Sequence, residues 1–133
     1  MERSKRGSDR GSLARETRRV VSLRVVQTPE SLADIALQAD YYARQDGIVL
    51  AARFAEAVKS SVRLLAGHPW IGKATDYPHP KLAGIRFLLV RKPFDKHLIF
   101  YRVCGEELDI VRIIHGMRDL PRRLLDPPGT EQT

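Results

Sequence analysis

Two apolar runs separated by a short break, KHLIFYRVCGEELDIVRII, occupy residues 96–114. β-Branched and aromatic side chains dominate both runs, Lys96–Val103 and Leu108–Ile114, as is typical of strands. The break at Gly105-Glu106 is so short that the two strands must pair antiparallel. A third run, Ile85–Val90, precedes them across a turn at Pro93. Alternate side chains point to opposite faces of a sheet, so we expect one face on helices and the other half exposed.

Two amphipathic helices are predicted upstream of these strands. Thr28-Pro29-Glu30 supplies an N-cap, a proline at the first helical position and an acid in the first turn, and the helical pattern runs to about Gln45. Asp46-Gly47 breaks it, and a second helix from about Ile48 ends before Gly67. Two helices joined by so short a break must form an antiparallel hairpin. The apolar stripes comprise Leu32, Ile35, Ala36, Ala39, Tyr42 and Ala43 on the first helix, and Ala51, Phe54, Ala55, Val58, Val62 and Leu65 on the second.

The order of these elements predicts an α+β domain. A β-branched run at Val20–Val26 provides an N-terminal strand, and prolines and glycines make residues 68–84 an irregular connection. Leu120–Leu125 can add a short terminal helix. We expect the N-terminal strand, the antiparallel helical hairpin, and then three antiparallel strands forming one sheet packed on the hairpin. The predicted boundaries are a disordered basic extension at 1–18, the folded domain at 19–126 and a flexible tail at 127–133.

The positive charge is concentrated near the N-terminus. The 133 residues carry a net charge of +7, of which residues 1–24 contribute +5 through eight basic and three acidic side chains. The remaining 109 residues are close to neutral, with fifteen basic and thirteen acidic side chains. The extension can make weak contacts with nucleic acid through phosphates, or it can be a solvated tail without a ligand.

Several classes of protein are excluded by composition. No uncharged stretch approaches the roughly 18–20 residues that a membrane span needs, and no apolar signal segment follows Arg18-Arg19, so we expect no membrane contact and a cytoplasmic protein. Cys104 is the only cysteine, which excludes an intramolecular disulfide. The histidines lack metal-ligand spacing and no phosphate-binding loop is present, so neither a metal nor another cofactor is expected.

Three segments carry a resemblance to a known family. They are Thr28-Pro29-Glu30 with the helix that follows, Leu64–Gly72, and the Phe100-Tyr101-Arg102 strand followed by Ile110–Leu120 with its Ile-His-Gly-x-Arg-Asp ending. In this order and spacing the chain, from about Val20 to Leu125, resembles the ParE/RelE superfamily of toxins from type II toxin–antitoxin modules, often labelled plasmid stabilisation proteins. The ending is most similar to the ParE branch.

The resemblance implies a toxin that a cognate ParD-like antitoxin neutralises by folding a flexible segment over the hairpin and sheet. For the ParE branch it implies an inhibitor that stalls DNA gyrase on broken DNA, without catalysis of its own. The alternatives are a RelE-like ribosome-dependent mRNA endoribonuclease and a non-toxic relic that retains only the antitoxin surface. The candidate residues for RNA cleavage are Arg86, Arg112, His115 and Arg118.

Each candidate contact residue has a structural alternative. The residues expected to bind the target are Arg118, Asp119, Arg122 and Arg123; Arg118 and Asp119 could instead form a local ion pair that fixes the chain end. The residues expected to bind the antitoxin are Tyr42, Phe54 and Trp70, and Trp70 could instead be a core residue covering the sheet edge. His115 can act as a general acid or base, or can hold the end of its strand by hydrogen bonds.

Overall fold

A computed structural model describes residues 22–130 of the chain. The predicted extension at 1–18, the first two residues of the predicted strand Val20–Val26, and the end of the predicted tail lie outside the described residues. The elements are β1 (Arg24–Gln27), α1 (Pro29–Asp46), α2 (Ile48–Gly67), β2 (Lys73–Ala74), a 3-10 turn (Pro80–Leu82), β3 (Arg86–Leu89), β4 (His97–Cys104), β5 (Glu107–His115) and α3 (Arg122–Leu125). None of the helices in residues 22–130 is long and apolar enough to cross a membrane.

The strands form one mixed sheet of five, in the order β1-β5-β4-β3-β2. β1 runs parallel to β5, with Arg24 opposite Glu107, whereas β2, β3, β4 and β5 pair antiparallel. The α+β class and the element order predicted from the sequence are confirmed. The expected number of strands after the hairpin is wrong: there are four, because Lys73–Ala74 in the supposedly irregular connection pairs with β3.

The helical hairpin forms where the capping and glycine signals predict it. The Thr28 hydroxyl accepts a hydrogen bond from the Ser31 amide at 3.0 Å, which caps α1. Gly47, at φ 101°, ends α1 and begins α2 in a conformation that favours glycine. The packed face of α2 then contributes Phe54, Val58, Val62 and Leu65 to the main core, together with side chains of β4 and β5.

The other face of the sheet is also covered, contrary to the expectation that it would be half exposed. Leu98 and Phe100 on β4 and Ile114 on β5 are buried beneath Leu82 of the 3-10 turn and Leu124 of α3. The sheet is therefore packed on both faces, by the hairpin on one side and by two short helical pieces on the other. The second covering fixes the C-terminal segment against the sheet.

A buried tyrosine fixes the loop between α2 and β2. The Tyr101 hydroxyl donates to the Pro69 carbonyl at 2.8 Å and accepts from the Gly72 amide at 3.0 Å. A Cβ atom at residue 72 would collide with this hydroxyl and would lie 2.8 Å from the Phe87 carbonyl oxygen. Because the loop is held from beneath at both ends, Trp70 is directed outward, where 63% of its surface is exposed.

We expect Tyr101→Phe to lower the free energy of unfolding by about 1–3 kcal/mol, since a buried amide and a buried carbonyl lose their common partner. Urea unfolding monitored by circular dichroism measures this change. The matched control is Tyr41→Phe, because the exposed Tyr41 hydroxyl makes no hydrogen bond within residues 22–130, and its effect should stay below about 0.5 kcal/mol. Equal effects of the two substitutions would contradict a fastening role for the Tyr101 hydroxyl.

Candidate functional site

A buried ion pair joins α1, β5 and the segment that contains α3. Arg112 forms two parallel hydrogen bonds to Asp34, from Nε to Oδ2 at 2.7 Å and from Nη2 to Oδ1 at 2.9 Å, and the Ile113 amide donates to the same carboxylate. The third guanidinium nitrogen donates to the carbonyls of Arg123 and Asp126 beyond the sheet. Arg112 is only 2% exposed, so this candidate for RNA cleavage serves as a structural link.

A second buried arginine shapes the segment after β5. Arg123 donates from Nη2 to the His115 carbonyl at 2.8 Å and from Nη1 to the Arg118 carbonyl at 3.0 Å. These bonds hold the 115–118 turn against α3. Arg123, expected to bind the target, is therefore largely buried under this turn, with only 7% of its surface exposed.

The remaining three residues expected to bind the target form an exposed patch, which we call the C-terminal surface: Arg118, Asp119 and Arg122. Arg122 pairs with Asp119 at 3.3 Å and with Asp126 at 2.6 Å, while Arg118 is exposed. The predicted alternative of an ion pair at the chain end is present, but it joins Asp119 to Arg122 rather than to Arg118. Because exposed pairs of this kind add little stability, these charges can exchange partners readily.

Two histidines lie next to each other at the end of β4 and β5. His97 and His115 are directly opposite in the sheet, with ring centroids 4.7 Å apart, and His97 Nε2 is 2.9 Å from the Tyr42 hydroxyl. Burial first, and then the neighbouring His115, lowers the pKa of His97 to about 4. Burial, followed by the positive charges of Arg123 and Lys96, also lowers the pKa of His115. Both rings are therefore neutral at pH 7.

A cleft of about 640 Å³ opens beside His115, and we call it the histidine cleft. Its lining residues include Gln38, Tyr41, Tyr42, Arg44, Gln45 and His115. His115 can accept a proton or a hydrogen bond there because it is neutral and exposed. Within residues 22–130, no three His, Cys, Asp or Glu side chains converge on a metal position.

The four residues considered for RNA cleavage do not come together. Arg86 on β3 lies opposite Tyr101 on β4, and His115 on β5 lies opposite His97 on β4. Tyr101 and His97 are four residues apart, so the positions of Arg86 and His115 are separated by about 13 Å along the strand direction. Arg86 donates to the Gly72 carbonyl at 2.8 Å, and its guanidinium lies 5.2 Å from the Trp70 ring centroid. It therefore supports the tryptophan rather than the histidine cleft.

The three residues expected to bind the antitoxin have different environments. Phe54 is completely buried in the core, so a partner cannot touch it in this conformation. Tyr42 is half-buried against the rings of Phe54, Phe94 and His97. Trp70 is exposed, and the alternative that placed it in the core is wrong because its loop directs it away from the sheet.

The comparisons with known proteins agree with this architecture. Residues 25–120 match the family described as the ParE toxin of the type II toxin–antitoxin system parDE. The chain belongs to the ParE toxin family. The resemblance found in the sequence is thus confirmed, and the protein is the toxin component of a type II toxin–antitoxin system. No curated protein sequence gives a significant match.

Two solved structures are similar to this ParE toxin in fold. One belongs to the chromosomal ParDE toxin–antitoxin system from P. aeruginosa, at 22% identity and a TM-score of 0.60, covering 72% of this chain and 98% of that chain. The other belongs to the RelBE2 toxin–antitoxin complex from Mycobacterium tuberculosis, at 19% identity and a TM-score of 0.50, covering 71% and 99%. At these identities both likenesses concern the fold alone.

The hairpin of this ParE toxin carries exposed apolar side chains, most of them outside the predicted stripes. Ile48 and Val49, at the start of α2, are 77% and 63% exposed, and Leu32 and Tyr41 on α1 are also exposed. Leu32 was expected on the packed stripe. A signal for the first two was present, since Ile48-Val49-Leu50 places three apolar residues in succession, more than one helical stripe can bury.

Proposed function

We propose that this ParE toxin acts in the cytoplasm on DNA gyrase, stalling the enzyme on broken DNA, and that a cognate ParD-like antitoxin holds it inactive. The C-terminal surface, Arg118, Asp119 and Arg122, contacts the target. The toxin contributes no catalytic group of its own to the damage.

The observation that favours gyrase over mRNA cleavage is the environment of Arg112. Endonucleolytic cleavage needs a cation at the phosphate and an acid–base pair within reach of one substrate. Arg112 is buried against Asp34, and Arg86 lies beside Trp70, so neither of these two candidate cations can face a phosphate together with His115. The exposed cation that lines the histidine cleft is Arg44 on α1, which is outside the set expected for RNA cleavage. The exposed charges of the C-terminal surface suit contact with a protein target instead.

The proposed antitoxin site is the exposed apolar part of the hairpin together with Trp70. A chain that folds on binding needs apolar surface to offset the entropy of its ordering, and exposed side chains of α1 and α2 provide it. They are Leu32, Leu37, Tyr41, Ile48, Val49 and Leu64. Tyr42 can contribute its accessible edge, whereas Phe54 acts only by supporting Tyr42 from the core. If the small protein encoded beside the toxin gene did not bind the purified toxin, this part of the proposal would fail.

A gyrase supercoiling and cleavage assay, run beside a translating ribosome extract probed for cut mRNA, tests the target. We expect stabilised double-strand breaks and intact mRNA. Arg118→Ala/Arg122→Ala should lower the cleavage potency at least about tenfold, because arginines are prominent among residues that dominate interface affinity.

The matched control is Lys73→Ala/Lys81→Ala, which removes the same charge from exposed sites on β2 and the 3-10 turn. This variant should retain full potency. Cut mRNA with unaffected gyrase would transfer the function to a RelE-like endoribonuclease at His115. If neither DNA breaks nor cut mRNA were found, the protein would be a relic that binds the antitoxin without being toxic.

A further inference from the structure

A groove of about 400 Å³ separates α2 from the turn that follows β3, on a different part of the molecule from the histidine cleft. We call it the cationic groove. Its apolar lining is formed by Leu50, Ala57, Pro93 and Phe94. Its polar lining is formed by Arg53, Glu56, Ser60, Arg63, Arg91 and Lys92. None of these residues lines the histidine cleft or belongs to the C-terminal surface.

The groove concentrates positive charge that is not neutralised locally. Glu56 is its only acid, and it pairs with Arg63 at 3.4 Å. Within residues 22–130, no carboxylate lies within ion-pair distance of Arg53, Arg91 or Lys92. Residues 22–130 contain sixteen basic and twelve acidic side chains, a net charge of +4, and the groove holds +3 of it.

One of the cations is held in place by hydroxyl groups of α2. Arg91 Nη1 donates to the Ser60 hydroxyl at 2.9 Å, and the Arg91 amide donates to the Ser61 hydroxyl at 3.1 Å. These bonds fix the turn after β3 against the helix, so the guanidinium of Arg91 is positioned before any ligand arrives. A positioned cation loses less side-chain entropy on binding than a freely moving one.

The chemistry of the lining selects a long, acceptor-rich anion. Three arginines and a lysine supply only donors, in the geometry that suits phosphate oxygens. Arg53 and Arg63 are ten residues apart on one helix, which corresponds to about 15 Å along its axis. This length matches the rise of about four phosphates along one strand of duplex DNA. We propose that the cationic groove binds the phosphodiester backbone of a nucleic acid.

Fluorescence anisotropy of the full chain with a 20-base-pair DNA duplex and with a single-stranded RNA of equal length, over a series of salt concentrations, tests this site. Arg53→Gln/Lys92→Gln removes two exposed groove cations. We expect at least about a tenfold loss of affinity at low salt, and a decrease of about two in the slope of log K against log salt, because two phosphate contacts are lost. A loss of affinity in the groove variant for either nucleic acid supports the site. The nucleic acid that the unaltered chain binds more tightly is then the one that the groove prefers.

The matched control is Lys73→Gln/Lys81→Gln, which changes the net charge equally outside the groove. It should leave the salt slope unchanged, and the basic N-terminal residues are present in every variant. The proposal would be overturned by equal losses in both double variants or by absence of binding by the unaltered chain. A parallel titration with poly-glutamate tests an acidic polypeptide as ligand. If the groove substitutions weakened only the binding of poly-glutamate, the proposal would also be overturned. The gyrase result does not depend on this outcome, because the groove shares no residue with the C-terminal surface.

Discussion

Asp34→Ala should lower the free energy of unfolding by about 3–5 kcal/mol, since it leaves the guanidinium of Arg112 buried without its counter-charge. The Asp34 carboxylate accepts three hydrogen bonds, two from Arg112 and one from the Ile113 amide. All three donors lose their acceptor in the variant. Equilibrium unfolding in urea measures the loss, and a chain already unfolded without denaturant would meet the expectation, because a domain has only about 5–15 kcal/mol of stability in total.

Two further variants serve as comparisons for Asp34→Ala. One separates loss of the charge from loss of the side chain, and the other removes an exposed ion pair instead of the buried one. Asp34→Asn keeps the shape and part of the hydrogen bonding, so its loss should be smaller than that of Asp34→Ala. Glu56→Ala removes the exposed pair with Arg63 and should change stability by less than about 1 kcal/mol. If Asp34→Ala and Glu56→Ala were equally mild, the buried pair would not be the link that fixes the segment at residues 123–126.

The Asp34–Arg112 pair also bears on the proposed target contact. Arg112 donates to carbonyls at residues 123–126, immediately after the turn that carries Arg118 and Asp119. Loosening this segment would displace the C-terminal surface without altering any of its residues. We therefore expect gyrase poisoning by Asp34→Asn to fall further than its remaining folded fraction explains.

Acidification should destabilise the protein between about pH 6.5 and pH 4 through His97. An unfolded histidine takes up a proton near pH 6.5, whereas burial and the neighbouring His115 lower the pKa of His97 in the folded protein to about 4. Below pH 6.5 the unfolded chain therefore binds a proton at His97 that the folded protein does not bind. The free energy of unfolding consequently falls with falling pH until about pH 4. The full contribution is present above pH 6.5 and amounts to about 3 kcal/mol.

Unfolding curves from pH 7.5 to pH 4 measure this dependence. In His97→Gln the slope between pH 6.5 and pH 4 should be much smaller, because no ring remains at this position to titrate. His68→Gln is the matched control, since His68 is exposed at the end of α2, and it should keep the slope of the unaltered chain. A slope that survives in His97→Gln would assign the acid sensitivity to other groups, with His115 the first to test.

The sequence predicted best those features that depend on neighbouring residues. Thr28 caps α1 because its hydroxyl needs only the amide three residues later, and Gly47 ends the helix through its own backbone freedom. The hairpin of β4 and β5 follows from one short turn and two β-branched runs. These local rules were sufficient for the α+β class and for the order of the elements.

Features that join distant residues could not be predicted in the same way. The β2 pairing involves only Lys73 and Ala74, and it is determined by the position of β3 rather than by any strand pattern of its own. Asp34 and Arg112 are 78 residues apart, and each alone resembles an ordinary surface charge. The covering of the second face of the sheet likewise depends on where Leu82 and Leu124 come to lie.

The candidate contact residues show the same division. Phe54 and Trp70 are both aromatic, and residue type predicts neither the burial of the first nor the exposure of the second. The position of Trp70 depends on Tyr101, whose hydroxyl holds the loop that carries Trp70. This hydroxyl donates a hydrogen bond to the carbonyl of Pro69, which lies 32 residues earlier in the chain. The cationic groove had no sequence signal either, since its charges come from α2 and from a turn about thirty residues later.

The parallel pairing of β1 with β5 has a consequence for the order in which the toxin can be completed during its synthesis. Arg24 must meet Glu107, a residue made 83 positions later, whereas the helical hairpin and the β4–β5 ribbon close over short distances in the chain. Contacts between distant residues form late because a long loop has to be closed first. A nascent chain therefore carries β1 without a neighbour until β5 has been translated, and the five-stranded sheet can be completed only from that point of synthesis onward.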